Sequence, residues 1–205
     1  MLSMAGFEFD VLPADVDETA DPALSPEELV AVLSEKKALH VRGILASDGT
    51  SSVDNSTDKT DAVIIGADTV VAIDGLILGK PKDEEDAFRM LKQLQGRKHV
   101  VYTGVTIACS GESVACTGES ADFESNHYTS VKTKTFVEFT SVHMRTLSDK
   151  AIRDYIATGE PMDKAGAYGI QERGAVLIER VEGDYFTVVG LPLCQLNKVM
   201  EEIKL

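Results

Sequence analysis

Hydrophobic and polar positions along this chain follow two periods, and the switches between them mark the elements. Ala62-Val63-Ile64-Ile65 is an unbroken apolar run with β-branched residues, the pattern of a buried strand. It stops at Gly66, so the pattern predicts that Asp68 stands at a strand tip. Val70 to Ile73 and Leu76 to Leu78 flank Asp74-Gly75, the strongest short hairpin signal. Phe7 to Leu12 alternates as a further strand. At about 100° per residue, Leu29, Val30, Leu33, Val41 and Ile44 share one helix face. That helix opens at Ser25-Pro26-Glu27-Glu28, a capping box with Pro in the first position, and is expected to reach about Leu45. Asp83 caps a second helix, with Ala87, Met90, Leu91 and Leu94 on one face and Gly96 as the stop. Val100–Cys109, Thr135–Met144 and Ala175–Val181 read as strands. Ser148 caps a short helix ending at Gly159, and Leu191–Ile203 reads as a closing amphipathic helix. The polar stretches 46–61 and 110–130 read as loops. Interleaved strands and helices with a hairpin predict an α/β fold, a mixed twisted sheet flanked by helices.

Composition narrows the functions. With 205 residues and 43% hydrophobic content, the chain can bury a core as one large domain or two small lobes. A net charge of −14 argues against a nucleic-acid polymer as partner, since binding one needs a basic footprint. A few local lysines and a divalent cation can still hold a small nucleotide. Cys109, Cys116 and Cys194 form no CxxC pair, which argues against a disulfide framework or a zinc site and fits a reducing compartment. Met1 to Glu18 has no Lys or Arg and no long apolar run, so it is not a signal peptide. No stretch reaches membrane-spanning length. The expectation is a cytoplasmic protein without a membrane partner.

Several residues break the pattern. Lys37 falls near the middle of the apolar face of the first helix, with His40 beside it and Lys36 at its edge. A lysine so placed snorkels outward, the commoner solution, or meets an anion. Asp15, Asp17 and Glu18 form an acidic turn. It reads as a solvated loop or as a hard-cation site of the kind that takes one or two carboxylates plus substrate phosphates. An EF-hand is excluded by its spacing. Gly75-Leu76-Ile77-Leu78-Gly79-Lys80-Pro81 fails as a P-loop: three residues separate the glycines, and Pro81 replaces Ser or Thr. Lys80 on that rigid turn remains a good phosphate contact. Asp68 is the best metal ligand or general base, or else a local turn device. Gly166-Ala167-Tyr168-Gly169 lets backbone approach a ligand, and Gln171 carries an amide able to read a base edge or orient a water.

Taken in order, these blocks resemble the Maf (septum formation) family of nucleoside triphosphate pyrophosphatases. The resembling text runs from Ala14-Asp15-Val16-Asp17-Glu18-Thr19 through Glu35-Lys36-Lys37-Ala38, Gly66-Ala67-Asp68-Thr69-Val70-Val71 and Leu78-Gly79-Lys80-Pro81. It continues over Gly159 to Gln171, Gly183-Asp184-Tyr185 and Val188-Val189-Gly190-Leu191-Pro192. The resemblance implies one Maf-like domain over 1–205, two lobes around a central cleft, and in many members a homodimer. It implies hydrolysis of a nucleoside triphosphate to monophosphate and pyrophosphate with Mg²⁺ or Mn²⁺. The Asp-Lys-Ala-Gly-Ala-Tyr-Gly-Ile-Gln form is similar to the branch acting on dTTP, UTP and modified pyrimidines. By position, Glu18 and Asp68 match catalytic and metal-binding acids, Lys37 and Lys80 phosphate-binding lysines, and Gln171 an active-site glutamine. Thr69, Asp163 and Lys164 fall among the implied substrate contacts. The family's opening strand and Ser-x-Arg-Arg loop have no counterpart before Phe7. That absence keeps a second expectation open, a non-catalytic nucleotide-binding regulator of division. An inosine or xanthosine triphosphate pyrophosphatase is the third.

Overall fold

The computed structural model describes residues 1–19, 21, 23–47, 62–109 and 132–203. The expected loops lie outside them, apart from residues 46 and 47, which finish the first helix. That helix, α1 (Pro26–Ser47), is opened by the capping box. Ser25 N–H donates to Glu28 Oε2 at 2.8 Å, and Glu28 N–H donates to Ser25 Oγ at 3.2 Å. Strands β1 (Val63–Ile73) and β2 (Leu76–Leu78) are joined at Asp74-Gly75, with φ of 52° and 77°. Positive φ at both central residues is what a type I′ hairpin turn requires. Helix α2 (Glu84–Leu94) is capped by Asp83, which accepts from Asp86 N–H at 2.8 Å, and it buries Ala87, Met90, Leu91 and Leu94 as its spacing predicts. The long strands β3 (Lys98–Cys109) and β4 (Lys132–Met144) follow. Then come α3 (Asp149–Ile156), β5 (Ile178–Glu182), α4 (Tyr185–Val189) and α5 (Leu193–Glu202).

The strands form one sheet in the order β2-β1-β3-β4-β5, and every described ladder is antiparallel. The α/β class is as expected, but the mixed sheet is not. Strands β2 and β3 both run antiparallel to β1 and are therefore parallel to each other, with α2 as their crossover. The crossover straddles β1, so the parallel strands never become neighbours.

Other local readings also gave way to tertiary context. Phe7–Leu12 forms no strand, and its Phe9, Val11 and Leu12 are exposed. Alternation alone cannot make a strand when no described neighbour completes the ladder. Residues Arg173–Leu177 coil into a 3-10 turn, which delays β5 to Ile178. Gly66 does not end β1, so Asp68 stands mid-strand rather than at a tip.

Glycine at 66 instead admits α1. A Cβ there would lie 2.3 Å from the Ser34 carbonyl oxygen, and one at Gly104 would lie 2.3 Å from that of Val30. The helix thus rests directly on the backbones of β1 and β3. Its face of the sheet holds Leu29, Val30, Leu33 and Val70 in one cluster and Ala38, Ile64 and Ala108 in another. The opposite face carries two larger cores. One joins α2 and α3 to the Val71 end of β1, and the other joins α5 to Val105 and Ile107. Between them runs a polar seam of buried threonines, Thr103, Thr140 and Thr187, beneath α4.

Candidate active site

The seating of α1 on the two glycines sets the site, because it holds Lys37 over Asp68. Even-numbered residues of β1 face α1, and Asp68 is the one that meets a charge. Lys37 Nζ donates to Asp68 Oδ1 at 2.5 Å and lies 2.9 Å from Glu18 Oε1. Of the two expectations for a lysine on an apolar face, the anion is the one realised. Lys80 Nζ lies 3.8 Å from Glu18 Oε2 and stays 61% exposed, whereas Asp68 is 10% exposed. Burial lifts the Asp68 carboxyl above its ordinary range, against the pull of the Lys37 ammonium. The same ammonium lowers Glu18. For Lys37, burial acts downward, but its bonds to Asp68 and Glu18 outweigh it and the net shift is upward. The ammonium therefore stays charged between its two carboxylates. Asp17 serves differently: its carboxylate accepts from Thr19 N–H at 2.8 Å and shapes the turn that presents Glu18.

The facing wall is the segment Gly159–Gly174. Gly166 N–H donates to the Gly79 carbonyl at 3.0 Å, which ties this segment to the Lys80 turn. A Cβ at Gly166 would come within 2.9 Å of the Val71 side chain. Ala167, with φ of 61°, sits in a backbone region that alanine rarely occupies, and such outliers gather at functional walls. Asp163 and Lys164 pair at 2.7 Å. The loop bearing Gln171 is held by two residues that the sequence reading did not single out. Tyr155 Oη donates to Glu160 Oε1 at 2.9 Å and accepts from Gly169 N–H at 3.0 Å. The Glu160 carboxylate also accepts from the Arg173 and Gly174 amides at 2.9 and 3.0 Å. A signal existed in Gly159-Glu160-Pro161, but nothing local shows what that glutamate binds. Beneath the wall, Tyr168 Oη is 2.7 Å from His99 Nε2, and burial holds that imidazole near pKa 4 and hence neutral.

The charged groups and the wall enclose one cleft of about 460 Å³, with Tyr155 and His99 behind its lining. Glu18, Lys37, Asp68, Thr69, Lys80, Asp163, Lys164 and Gln171, the catalytic, metal and substrate residues that the resemblance implies, contribute to it, whereas Asp15, Asp17, Lys36 and His40 do not. The cleft passes over the edge of β1, since β2 pairs with it only from Val71 onward. One end therefore meets the α1 face and the other reaches Val188 and Val189 of α4.

The pattern of the Maf-like protein family matches residues 1–203, nearly the entire length. The chain belongs to the Maf family. It is 42% identical over 202 residues to a dTTP/UTP pyrophosphatase of Acetivibrio thermocellus, covering 98% of this chain and 88% of that protein. Proteins of the same name from Caldicellulosiruptor saccharolyticus and Bacillus pumilus are 40% and 39% identical, over 99% and 98% of this chain and 88% of each relative. The cleft of this Maf protein thus carries charged groups from α1, from mid-β1, from the Lys80 turn and from the Gly159–Gly174 wall. Among the described residues no cluster of three or more His, Cys, Asp or Glu is built to hold a metal, and no helix is long and apolar enough to cross a membrane. The oxygen donors at the charged end are Glu18 and Asp68.

Proposed function

We propose that this Maf protein hydrolyses dTTP, UTP or a modified pyrimidine nucleoside triphosphate to the monophosphate and pyrophosphate. The observation that carries the reading is the Lys37 ammonium held between Asp68 and Glu18, in a cleft that also presents Lys80 and Gln171. The names of the relatives support the substrate class. Attack at the α-phosphorus requires that triphosphate charge be neutralised and that one water be aligned. Lys80, largely exposed, binds phosphate oxygens, and Lys37 and Lys80 stabilise charge on the departing pyrophosphate. Asp68 orients the water and takes its proton. A carboxylate raised by burial is a better base than an ordinary one. Gln171 orients water or base through its amide.

The reading includes a divalent cation. Two hard carboxylates with substrate phosphates are a donor set that suits Mg²⁺ or Mn²⁺, and Glu18 and Asp68 would hold it. Such an ion supplies further neutralisation of the triphosphate. It extends also to one Maf-like domain that acts in the cytoplasm as a homodimer, without a polynucleotide partner.

Pyrophosphate release from dTTP, UTP, CTP, GTP, ITP and 7-methyl-GTP, with Mg²⁺ or Mn²⁺, tests the reading beside Asp68→Asn. Release from the pyrimidine nucleotides that the substitution abolishes is expected. Preference for ITP would favour a purine pyrophosphatase. Nucleotide affinity without release would favour a non-catalytic regulator.

A further inference from the structure

Gln171 is exposed and lines the cleft, so the backbone loop that carries it sets where its amide points. That loop runs from Gly169 to Gly174 and closes on itself. The two glycines meet at its neck: a Cβ on Gly174 would collide with the Gly169 carbonyl oxygen and stand 2.6 Å from Tyr155 Oη. Among the described residues no backbone-to-backbone hydrogen bond crosses the neck. Two side chains close it instead. On one side Tyr155 Oη accepts from Gly169 N–H at 3.0 Å, and it donates to Glu160 Oε1 at 2.9 Å. Glu160 holds the other side, with Oε1 accepting from Gly174 N–H at 3.0 Å and Oε2 from Arg173 N–H at 2.9 Å. Glu160 also lines the cleft, while Tyr155 stays behind it in the core shared by α2 and α3.

We propose that Tyr155 and Glu160 are positioning residues for the hydrolysis, closing the Gly169–Gly174 loop so that the Gln171 amide is aimed into the cleft. The proposal rests on the pyrophosphatase reading and adds two residues to it. The direction of every bond calls for a carboxylate at 160, since a carboxylate only accepts and all three of its partners donate. The Tyr155 proton is spent on Glu160, which leaves the hydroxyl lone pairs for the Gly169 amide. A glutamine at 160 has the same shape but carries an NH2 at one end. Turned towards Arg173 or towards Gly174, that group meets another N–H, and the neck loses a bond. Tyr155→Phe keeps the buried ring and removes the hydroxyl, which frees the Gly169 side. A reacting group displaced by about 1 Å is enough to slow a reaction about 10²-fold.

Steady-state pyrophosphate release by the full chain, from the best nucleotide of the panel, tests the proposal in a double-mutant cycle with Gln171→Ala. Glu160→Gln and Tyr155→Phe are each expected to lower kcat/KM by about 10–10²-fold. The change should fall on the same parameter, kcat or KM, that Gln171→Ala moves. In the Gln171→Ala protein the same substitutions should cost less than about twofold more, since a loop without its amide has nothing left to aim. Losses that multiply in full overturn the proposal, because they place the effect outside Gln171. Wild-type kinetics in Glu160→Gln and Tyr155→Phe overturn it, and so does a Gln171→Ala protein as fast as wild type. Tyr155→Phe keeps the cycle readable should Glu160→Gln fail to fold. A wild type that releases pyrophosphate from no nucleotide overturns the pyrophosphatase reading and this role with it.

Discussion

The two faces of β1 build the same cleft from different materials. On the α1 side, Asp68 meets Lys37 and Glu18, and the interaction is between full charges. On the α4 side, the Thr69 hydroxyl meets that of Thr103, which donates to the backbone carbonyl of Thr187, and the interaction is between neutral groups. Charge is suited to a triphosphate, whose many negative oxygens need neutralising but carry no information about the base. A hydroxyl carries no net charge, and the bond from Thr103 to the Thr187 carbonyl ties α4 to the sheet. One strand thereby presents charge on one face and neutral hydroxyls on the other by the alternation of its side chains.

Removing the charge on the first face should have the largest effect. Asp68→Asn is expected to lower the rate of pyrophosphate release by about 10²–10⁴-fold while leaving nucleotide selectivity unchanged. A single-turnover assay across the nucleotide panel measures both.

Next in size is the seat of α1. Gly66→Ala would place a methyl against helix backbone that cannot swing aside, with atoms at 2.3 and 2.7 Å. The helix must lift, and a loss of about 3 kcal/mol is expected in urea denaturation. Activity should fall further than stability alone predicts, because Lys37 moves with the helix.

The second face has its own sensitivity to acid. The His99 imidazole is held near 4, below its ordinary 6.5, by burial and then by nearby His143. A depressed value means that the unfolded chain binds a proton which the native form refuses. The His99 contribution is therefore complete above pH 6.5 and is lost as pH falls towards 4. It amounts to about 3 kcal/mol. Protonation makes both ring nitrogens donors, and Nδ1 has no hydrogen-bond partner among the described residues. Denaturation of wild type and His99→Gln at pH 7 and pH 4 should show the wild type losing the larger share of its stability.

The smallest effect returns to α1. Ser25→Ala removes half of the capping box and should cost about 1 kcal/mol in thermal or urea unfolding, with selectivity untouched.

The features legible in the sequence are the ones set locally. Asp83 and Ser148 cap their helices, Asp74-Gly75 makes its turn, and the capping box opens α1, because each device needs only residues within a few positions. The charged side of the cleft was legible too. A lysine on an apolar face and an acid expected at the tip of an apolar strand each call for a partner, and here they answer one another. Features set by distant chain were hidden. Gly66 reads as a stop until α1 is placed above it. Phe7–Leu12 reads as a strand until the sheet is assembled without it. Thr103 and Thr187 are ordinary residues in sequence, and only the folded chain brings the Thr103 hydroxyl to the Thr187 carbonyl. Gly174, whose Cβ would lie 2.2 Å from the Gly169 carbonyl oxygen, likewise explains the turn before β5 only once the Gln171 loop is folded over it.

The central claim is that water is directed at the α-phosphorus while the lysines receive the leaving pyrophosphate. Hydrolysis of UTP in water enriched in heavy oxygen, with the products separated and weighed by mass spectrometry, tests it directly. The account predicts one heavy oxygen in the monophosphate and none in the pyrophosphate. Label in the pyrophosphate, or release of orthophosphate and UDP, would contradict it.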